Sequence, residues 1–146
     1  MKIAILGSTG SIGKSTLDVI KKDKKNFDVI LLSANNNYKK LIQQAKEFKV
    51  KNILIKNKIF YERTKKILKN SKTKIYAGDI SITNIISGKL DYTMSAIVGV
   101  AGLQPTVDAI KISKTVAIAN KEAVICGWDI LSTHIKKYQT KVLPVD

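Results

Sequence analysis

The chain has 146 residues, with 26 lysines and arginines against 11 aspartates and glutamates, so its formal net charge at pH 7 is +15. This length suits one domain with a buried core, and the share of apolar residues excludes intrinsic disorder and fibrous repeats. No apolar run approaches the roughly 20 residues of a membrane span. The apolar N-terminal stretch is too short for a signal peptide, so we expect no membrane partner and a cytoplasmic location, or a plastid-like organelle if a transit peptide has been removed.

Short apolar segments alternate with longer amphipathic ones along the whole sequence. They predict seven strands, at Lys2–Leu6, Asp28–Ser33, Asn52–Ile55, Lys74–Tyr76, Tyr92–Val98, Thr115–Ala119 and Lys141–Val145. Six helices are predicted between the strands, at Ser11–Lys22, Asn37–Phe48, Ile59–Leu68, Asp79–Ile86, Gln104–Ile112 and Lys121–Tyr138. Near-continuous apolar strands are typical of a buried parallel sheet. The pattern therefore predicts an α/β fold, a Rossmann-like doubly wound and mainly parallel sheet with helices on both faces.

A glycine-rich turn, Gly7-Ser8-Thr9-Gly10-Ser11-Ile12-Gly13, follows the first strand and opens the first helix. We expect Gly7 to allow a tight turn and Gly13 to let the helix pack against the strand. Gly10, at a positive φ, is expected to bring the backbone close to a pyrophosphate, with the N–H groups of Thr9 to Ile12 facing the phosphates. The pattern favours a dinucleotide over ATP, and a purely structural turn is the alternative.

The end of the second strand carries no acidic residue to bind a ribose 2′-hydroxyl, as an NAD site usually does. Counting about 20 residues from the last glycine leads to Ser33-Ala34-Asn35-Asn36-Asn37, followed by Lys39 and Lys40. A neutral amide loop tolerates a 2′-phosphate, whereas a carboxylate would repel it. The sequence therefore favours NADP over NAD, and a loop that simply caps the next helix at Asn37 is the alternative.

Two segments in the second half should lie at the same edge of the sheet. Gly99 follows the fifth predicted strand, and Asn120, Lys121 and Glu122 follow the sixth. We expect Gly99 to let a nicotinamide ribose approach the backbone and Lys121 to meet a substrate phosphate. Asn120 caps the following helix in the alternative interpretation. Asp146, after the last strand, could contribute one oxygen ligand to a divalent metal, although a single carboxylate does not make a site.

The positive charge comes from lysine, since Arg63 is the only arginine. The 22 isoleucines and 9 asparagines that accompany it indicate a codon bias across the sequence. Nucleic-acid sites rely on arginine for bidentate contacts. We therefore expect no nucleic-acid partner and assign locally placed lysines to an anionic small ligand.

Four segments together resemble the N-terminal, NADPH-binding domain of the 1-deoxy-D-xylulose 5-phosphate reductoisomerases. They are ILGSTGSIGKSTLDVI (Ile5–Ile20), SAIVGVAGLQPT (Ser95–Thr106), AIANKEAVICG (Ala117–Gly127) and LPVD (Leu143–Asp146). The resemblance covers the whole chain, residues 1–146. It implies an enzyme that rearranges a sugar phosphate to an aldehyde, which NADPH reduces while a divalent Mg, Mn or Co ion holds the substrate oxygens. It also implies a homodimer.

The resemblance also assigns residues. The family's pyrophosphate contacts match Thr9, Gly10, Ser11 and Ile12, and further cofactor contacts match Asn120 and Glu122. A substrate contact matches Lys121, and the first metal carboxylate matches Asp146. Asn35 stands where the family usually has a glycine, and we expect this asparagine to adopt a positive φ in its place.

The family's motif continues through Ser-Glu-His after the aspartate that Asp146 matches. We therefore expect the other metal carboxylates, the lid over the substrate and the C-terminal helices to lie outside these 146 residues, with no catalytic residue inside them. The predicted outcome for this polypeptide is NADPH binding without turnover. A catalytically silent NADP-sensing module is one alternative. Another is a semialdehyde or acyl-phosphate reductase, for which Cys126, inside a predicted helix, is badly placed as the nucleophile.

Overall fold

The computed structural model describes residues 1–145 and contains one seven-stranded sheet. The strands are β1 (Lys2–Leu6), β2 (Asp28–Ala34), β3 (Asn52–Ile55), β4 (Lys74–Ala77), β5 (Leu90–Ser95), β6 (Ser113–Ile118) and β7 (Lys141–Pro144). Their order across the sheet is β4-β3-β2-β1-β5-β6-β7, and every neighbouring pair is parallel. The predicted doubly wound, Rossmann-like fold with seven strands is confirmed.

Helices cover both faces of the sheet. They are α1 (Ser11–Lys21), α2 (Tyr38–Glu47), α3 (Tyr61–Ile67), α4 (Leu103–Ile112) and α5 (Lys121–Tyr138). Leu17 of α1 and Leu41 of α2 belong to the core on one face. Val107 of α4 and Leu131 of α5 belong to the core on the other face. Within residues 1–145 no helix is long and apolar enough to cross a membrane.

The predicted helix Asp79–Ile86 is wrong, because only a single 3₁₀ turn, Ile82–Asn84, forms there. This segment carries the chain from β4 at the sheet edge back past three strands to β5, on the far side of β1. With strands about 4.8 Å apart, the crossing covers about 19 Å. Because the strands are parallel, the chain must also return from the carboxyl end of β4 to the amino end of β5. An eight-residue helix advances only about 12 Å, so a more extended chain suits this longer path.

The predicted fifth strand, Tyr92–Val98, is displaced and ends earlier, at Ser95. Beyond Ser95 the chain turns toward β6, where the carbonyl oxygens of Ile97 and Gly99 accept hydrogen bonds from the Asn120 side chain. Val98 consequently projects into solvent, with 85% of its surface exposed. Sheet order and this loop place the carboxyl ends of β2, β1, β5 and β6 side by side, at the point where the chain reverses its direction across the sheet.

Candidate functional site

A cavity of about 720 Å³ lies at the carboxyl edge of the sheet. Residues of the glycine turn, of α4 and of the segment after β4 line it. Its lining comprises Leu6, Gly7, Thr9, Gly10, Ser33, Ala34, Asn35, Leu54, Lys56, Gly78, Asp79, Ile80, Ser81, Ile82, Thr83, Ala96, Ile97, Val98, Ala101, Gln104, Pro105, Asp108 and Lys111. In doubly wound sheets, ligands bind outside the carboxyl ends of the strands, where strand order reverses, and this cavity has that position.

Gly7 and Gly13 are glycines for reasons internal to the fold. Gly7 has φ +82°, and a Cβ at this position would lie 2.7 Å from the carbonyl oxygen of Ala96. Its N–H donates to the Ser33 carbonyl oxygen at 3.1 Å, which joins the turn to β2. A Cβ on Gly13 would collide with backbone atoms of Gly7 and Ser8. Both residues therefore have the structural roles that the sequence predicts for them.

Gly10 differs from these two glycines. It caps α1 with φ −79° and ψ 177°, so the expected positive φ is wrong, and any residue can adopt this backbone conformation. A Cβ on Gly10 would meet only the Gly7 carbonyl oxygen, at an ordinary 3.6 Å. The fold itself thus tolerates a side chain here. Absence of a side chain keeps the surface in front of the helix open, as close approach of a phosphate requires.

The N–H groups at the start of α1 are largely unused within the molecule. The Gly10 N–H donates to the Gly7 carbonyl oxygen at 3.3 Å, whereas the Thr9, Ser11 and Ile12 N–H groups have no acceptor in residues 1–145. The first N–H groups of a helix carry its positive dipole end. Three of the four amides predicted to face a pyrophosphate are therefore available to an anion.

Two buried polar residues that the sequence analysis did not single out fix this turn. Ser8 is fully buried, and its side chain and carbonyl oxygen both hydrogen-bond with Gln44 of α2. A glutamine at a buried helix position is the sequence signal that could have identified this contact.

The asparagine loop after β2 makes specific internal hydrogen bonds. Asn37 caps α2, since its Oδ1 accepts the Lys40 N–H at 3.2 Å. Asn36 Oδ1 accepts the Asn57 side-chain amide at 2.8 Å. The expected positive φ at Asn35 is wrong, because Lys49 and Gln139 are the only non-glycine residues with positive φ in the described part of the chain. Asn35 lines the cavity, whereas Asn36 and Asn37 lie outside its lining.

Asn120 joins the ends of β5 and β6. It is 3% exposed; its Oδ1 accepts the Ala123 N–H at 3.2 Å and thereby caps α5. Its Nδ2 donates to the carbonyl oxygens of Ile97 and Gly99. A Cβ on Gly102 would lie 2.5 Å from that Nδ2, so Gly102, which the sequence analysis overlooked, makes room for the amide. The helix cap that the sequence left as an alternative is present, and any cofactor contact of Asn120 stays a prediction.

Gly99, Lys121 and Glu122 form the far end of the same edge. Gly99 has φ +78°, and no atom of residues 1–145 lies within 4 Å of the position a Cβ would take. Lys121 and Glu122 are exposed in the first turn of α5. None of the three lines the cavity, so the predicted site residues fall into separate groups.

These groups follow one another across the sheet. Asn35 lies beyond β2, the glycine turn beyond β1, Gly99 beyond β5 and Asn120 beyond β6, in the observed strand order β2-β1-β5-β6. At about 4.8 Å between strands, the row extends about 14 Å. An elongated ligand could contact every group from one side of the edge.

The titratable groups with altered pKa values lie elsewhere. A hydrogen bond from Lys21 lowers the pKa of Glu47, and the Lys2 backbone N–H, followed by the Lys114 side chain, lowers the pKa of Asp91. Burial raises the pKa of Tyr92. Within residues 1–145, no three His, Cys, Asp or Glu side chains come together as metal ligands. Asp146, the predicted metal carboxylate, lies outside the described residues.

Comparison with known proteins agrees with this geometry. The 1-deoxy-D-xylulose 5-phosphate reductoisomerase family matches residues 3–127. The reductoisomerase of Pelagibacter ubique is 52% identical over 147 residues, an alignment that covers 99% of this chain and 38% of the relative. The solved Zymomonas mobilis reductoisomerase in complex with NADPH superposes with a TM-score of 0.93 at 39% identity, covering 99% of this chain and 38% of that one. A structure of DOX-P reductoisomerase with fosmidomycin and magnesium gives a TM-score of 0.91 at 32% identity, covering 100% of this chain and 37% of that one.

The chain thus spans about 38% of the length of the relatives it matches. The family resemblance found in the sequence is confirmed, and the match argues against a semialdehyde or acyl-phosphate reductase. Cys126 agrees with that conclusion, since it is exposed on α5 and does not line the cavity. On its sequence, its fold and the position of its glycine turn, this chain belongs to the 1-deoxy-D-xylulose 5-phosphate reductoisomerase family.

Proposed function

We propose that residues 1–146 form the NADPH-binding domain of an enzyme that converts 1-deoxy-D-xylulose 5-phosphate to 2-C-methyl-D-erythritol 4-phosphate, a reaction of non-mevalonate isoprenoid biosynthesis. One observation carries the proposal: the predicted adenosine, pyrophosphate and nicotinamide groups of residues occur in that order beyond β2, β1 and β5–β6. A dinucleotide has its chemical parts in the same order. The complex of the Zymomonas mobilis relative with NADPH supports this choice of ligand.

The glycine turn fits a pyrophosphate. Gly10 presents bare backbone with room in front of it, and the N–H groups of Thr9, Ser11 and Ile12 are free to donate. Donors at a helix N-terminus stabilise negative charge without any lysine in contact. Gly7 and Gly13 hold this arrangement against β1 and β2.

Gly99 and Asn120 shape the nicotinamide end. Because Asn120 uses its side chain on the carbonyl oxygens of Ile97 and Gly99, its main contribution is to hold that loop where a nicotinamide ribose passes. Glu122 stands beside it in the same turn of α5 and serves as a further cofactor contact. NADPH supplies the hydride that reduces the aldehyde, and the fixed loop determines where the ring lies.

Lys121 is the proposed contact for the substrate phosphate. It is exposed at the rim, next to Asn120, and no acidic side chain within residues 1–145 forms an ion pair with it. A lysine ammonium in this position binds a phosphate as a point charge. The substrate would then lie beyond β6, on the nicotinamide side of the edge.

Asp146 is the proposed metal carboxylate, supported by the motif and by the magnesium in a solved relative. One carboxylate binds Mg²⁺ weakly, so calorimetry on the 146-residue polypeptide should detect no tight Mg²⁺ or Mn²⁺ binding. In a protein of the relatives' length, Asp146→Asn should reduce turnover by orders of magnitude and leave NADPH affinity nearly unchanged. Parallel loss of NADPH binding would assign Asp146 a structural role instead.

Calorimetry with NADPH and NADH side by side tests the central proposal. The 146-residue polypeptide should bind NADPH measurably, bind NADH more weakly and show no turnover of the sugar phosphate with added Mg²⁺. Absence of binding by either dinucleotide contradicts the proposal. Turnover by this polypeptide alone would show that the catalytic groups lie within it, against our expectation.

The remaining proposals concern the setting of the enzyme. We expect a cytoplasmic homodimer at the length of the relatives, supported only by the family resemblance. Sedimentation of a protein of that length tests the dimer. An NADP-sensing module without catalysis is distinguished by the same protein, because it would bind NADPH and leave the sugar phosphate unchanged.

A further inference from the structure

We propose that Lys56, the first residue after β3, binds the 2′-phosphate of NADPH and makes this domain select NADPH over NADH. The inference rests on the proposed function, since it requires a dinucleotide along the carboxyl edge. It names a cation that neither the glycine turn nor the asparagine loop provides.

The position of Lys56 follows from strand pairing. In dinucleotide-binding sheets the adenosine ribose lies at the end of the second strand, which here is Ala34 followed by Asn35. The Lys56 N–H donates to the Ala34 carbonyl oxygen at 2.9 Å, and the Asn57 N–H donates to the Asn35 carbonyl oxygen at 3.0 Å. The chain leaving β3 therefore runs directly beside the residues expected at the ribose, and Lys56 and Asn35 line the same cavity.

Other lysines near the loop are less well placed. Lys39 and Lys40, the two cations that the sequence suggests, lie in the first turn of α2 and do not line the cavity. Lys111 lines the cavity from α4, but its ammonium lies 3.8 Å from the carboxylate of Asp108, whose side chain is only 8% exposed. That buried carboxylate also accepts hydrogen bonds from Ser81 and Gln104, and Lys111 is the cation that balances its charge.

The ion pair of Lys56 is of a different kind. Its Nζ lies 3.8 Å from an Asp79 oxygen, and 89% of the Asp79 side chain is exposed. Exposed pairs of this kind contribute little to stability, so a phosphate can replace Asp79 at little cost. A phosphate monoester brings more negative charge than a carboxylate and three acceptor oxygens. Lys56 can therefore exchange a solvated carboxylate for the ligand, and Asp79 should oppose binding of that ligand.

Calorimetry on the 146-residue chain with NADPH and NADH tests the assignment. Lys56→Gln should weaken NADPH binding about tenfold or more, as loss of a charged hydrogen bond does, and leave NADH binding nearly unchanged. Lys39→Gln is the matched control and should preserve the preference for NADPH. Asp79→Asn should tighten NADPH binding, because it removes the competing carboxylate. The same effect should appear with ligands that lack the nicotinamide. Lys56→Gln should weaken binding of adenosine 2′,5′-bisphosphate and leave binding of adenosine 5′-monophosphate nearly unchanged.

The outcomes separate this inference from the proposed function. If the wild-type chain binds neither dinucleotide, the proposed function is contradicted, and this inference with it. Wild-type chain that prefers NADPH, with the same preference retained in a folded Lys56→Gln variant, overturns the assignment of Lys56 alone. Urea unfolding of each variant establishes that it is folded.

Discussion

Ser8 in the glycine turn and Gln44 in α2 hydrogen-bond to each other in both directions. The Ser8 Oγ donates to Gln44 Oε1 at 2.8 Å, and Gln44 Nε2 donates to the Ser8 carbonyl oxygen at 2.9 Å. Ser8 is fully buried and Gln44 is 4% exposed, so water cannot replace either bond. This pair joins the glycine turn to a helix residue that lies 36 positions further along the chain.

Gln44→Leu should destabilise the fold and loosen the turn. It leaves the buried Ser8 carbonyl oxygen without its donor and the Ser8 hydroxyl with only the Ser33 carbonyl oxygen, 3.3 Å away, at a cost of about 1–3 kcal/mol. Urea unfolding should show the loss, and NADPH affinity should fall with it. Gln43→Leu is the control, because Gln43 is exposed on the same helix and should change unfolding free energy by less than about 0.5 kcal/mol. Equal effects of both variants would show that the Ser8 contact is unimportant.

Gly10→Val should abolish NADPH binding without unfolding the domain. A valine side chain enters the open space in front of α1, while φ −79° suits it and its Cβ would be uncrowded. Loss of a glycine cap costs no more than about 1 kcal/mol. Gly13→Val provides the contrast, because a Cβ at this position would collide with the backbone of Gly7. This substitution should unfold or strongly destabilise the domain. Normal NADPH binding by Gly10→Val would remove this residue from the phosphate site.

Asn120→Ala should be destabilising even without a ligand. It removes the cap of α5 and the donor to the carbonyl oxygens of Ile97 and Gly99. Together these losses should reduce unfolding free energy by about 2 kcal/mol or more. Lys121→Ala, at the exposed neighbouring position, should leave stability nearly unchanged. Thermal unfolding of the two variants is the measurement, and equal midpoints would contradict the capping role.

Asp91 lies at the opposite edge of the sheet, and its carboxylate should make the free energy of unfolding depend on pH. Its carboxylate accepts the Lys2 N–H at 2.8 Å and the Lys114 ammonium at 3.0 Å, and these contacts lower its pKa in the folded chain. A carboxylate with a lowered pKa stabilises the fold above its unfolded pKa, about 3.9, and that stabilisation is lost as pH falls through the folded value.

Asp91→Asn should therefore be less stable than wild type at pH 7, with a difference that shrinks as the pH is lowered below about 4. Urea unfolding at pH 7 and pH 3 measures this difference. Asp129→Asn, at an exposed position of α5, is the control for loss of one negative charge in a chain of net charge +15. A difference for Asp91→Asn that stays constant with pH would show that its ion pair is not responsible.

Strand and helix periodicity predicts most of the fold because these signals are local. The bounds of β1, β3 and α5 agree with those expected from the sequence. The segment after β4 is not predicted correctly, because its conformation depends on the distance back to β5 and not on its own composition. The positive φ expected at Gly10 and Asn35 is also absent. Gly10 caps α1 in an extended conformation, and the Asn35 carbonyl oxygen accepts the Asn57 N–H beside β3.

The sequence by itself determined the family, the sheet and the location of the glycine turn, since the family motifs, the glycine spacing and the apolar periodicity each lie within short segments of the chain. Only the tertiary structure decided which distant residues meet at that turn and beside it. Strand pairing brings Lys56 next to Asn35, and helix packing brings Gln44 to Ser8. Such contacts join segments that are 21 and 36 residues apart in sequence. No short pattern encodes them, because strand order and helix packing create the proximity.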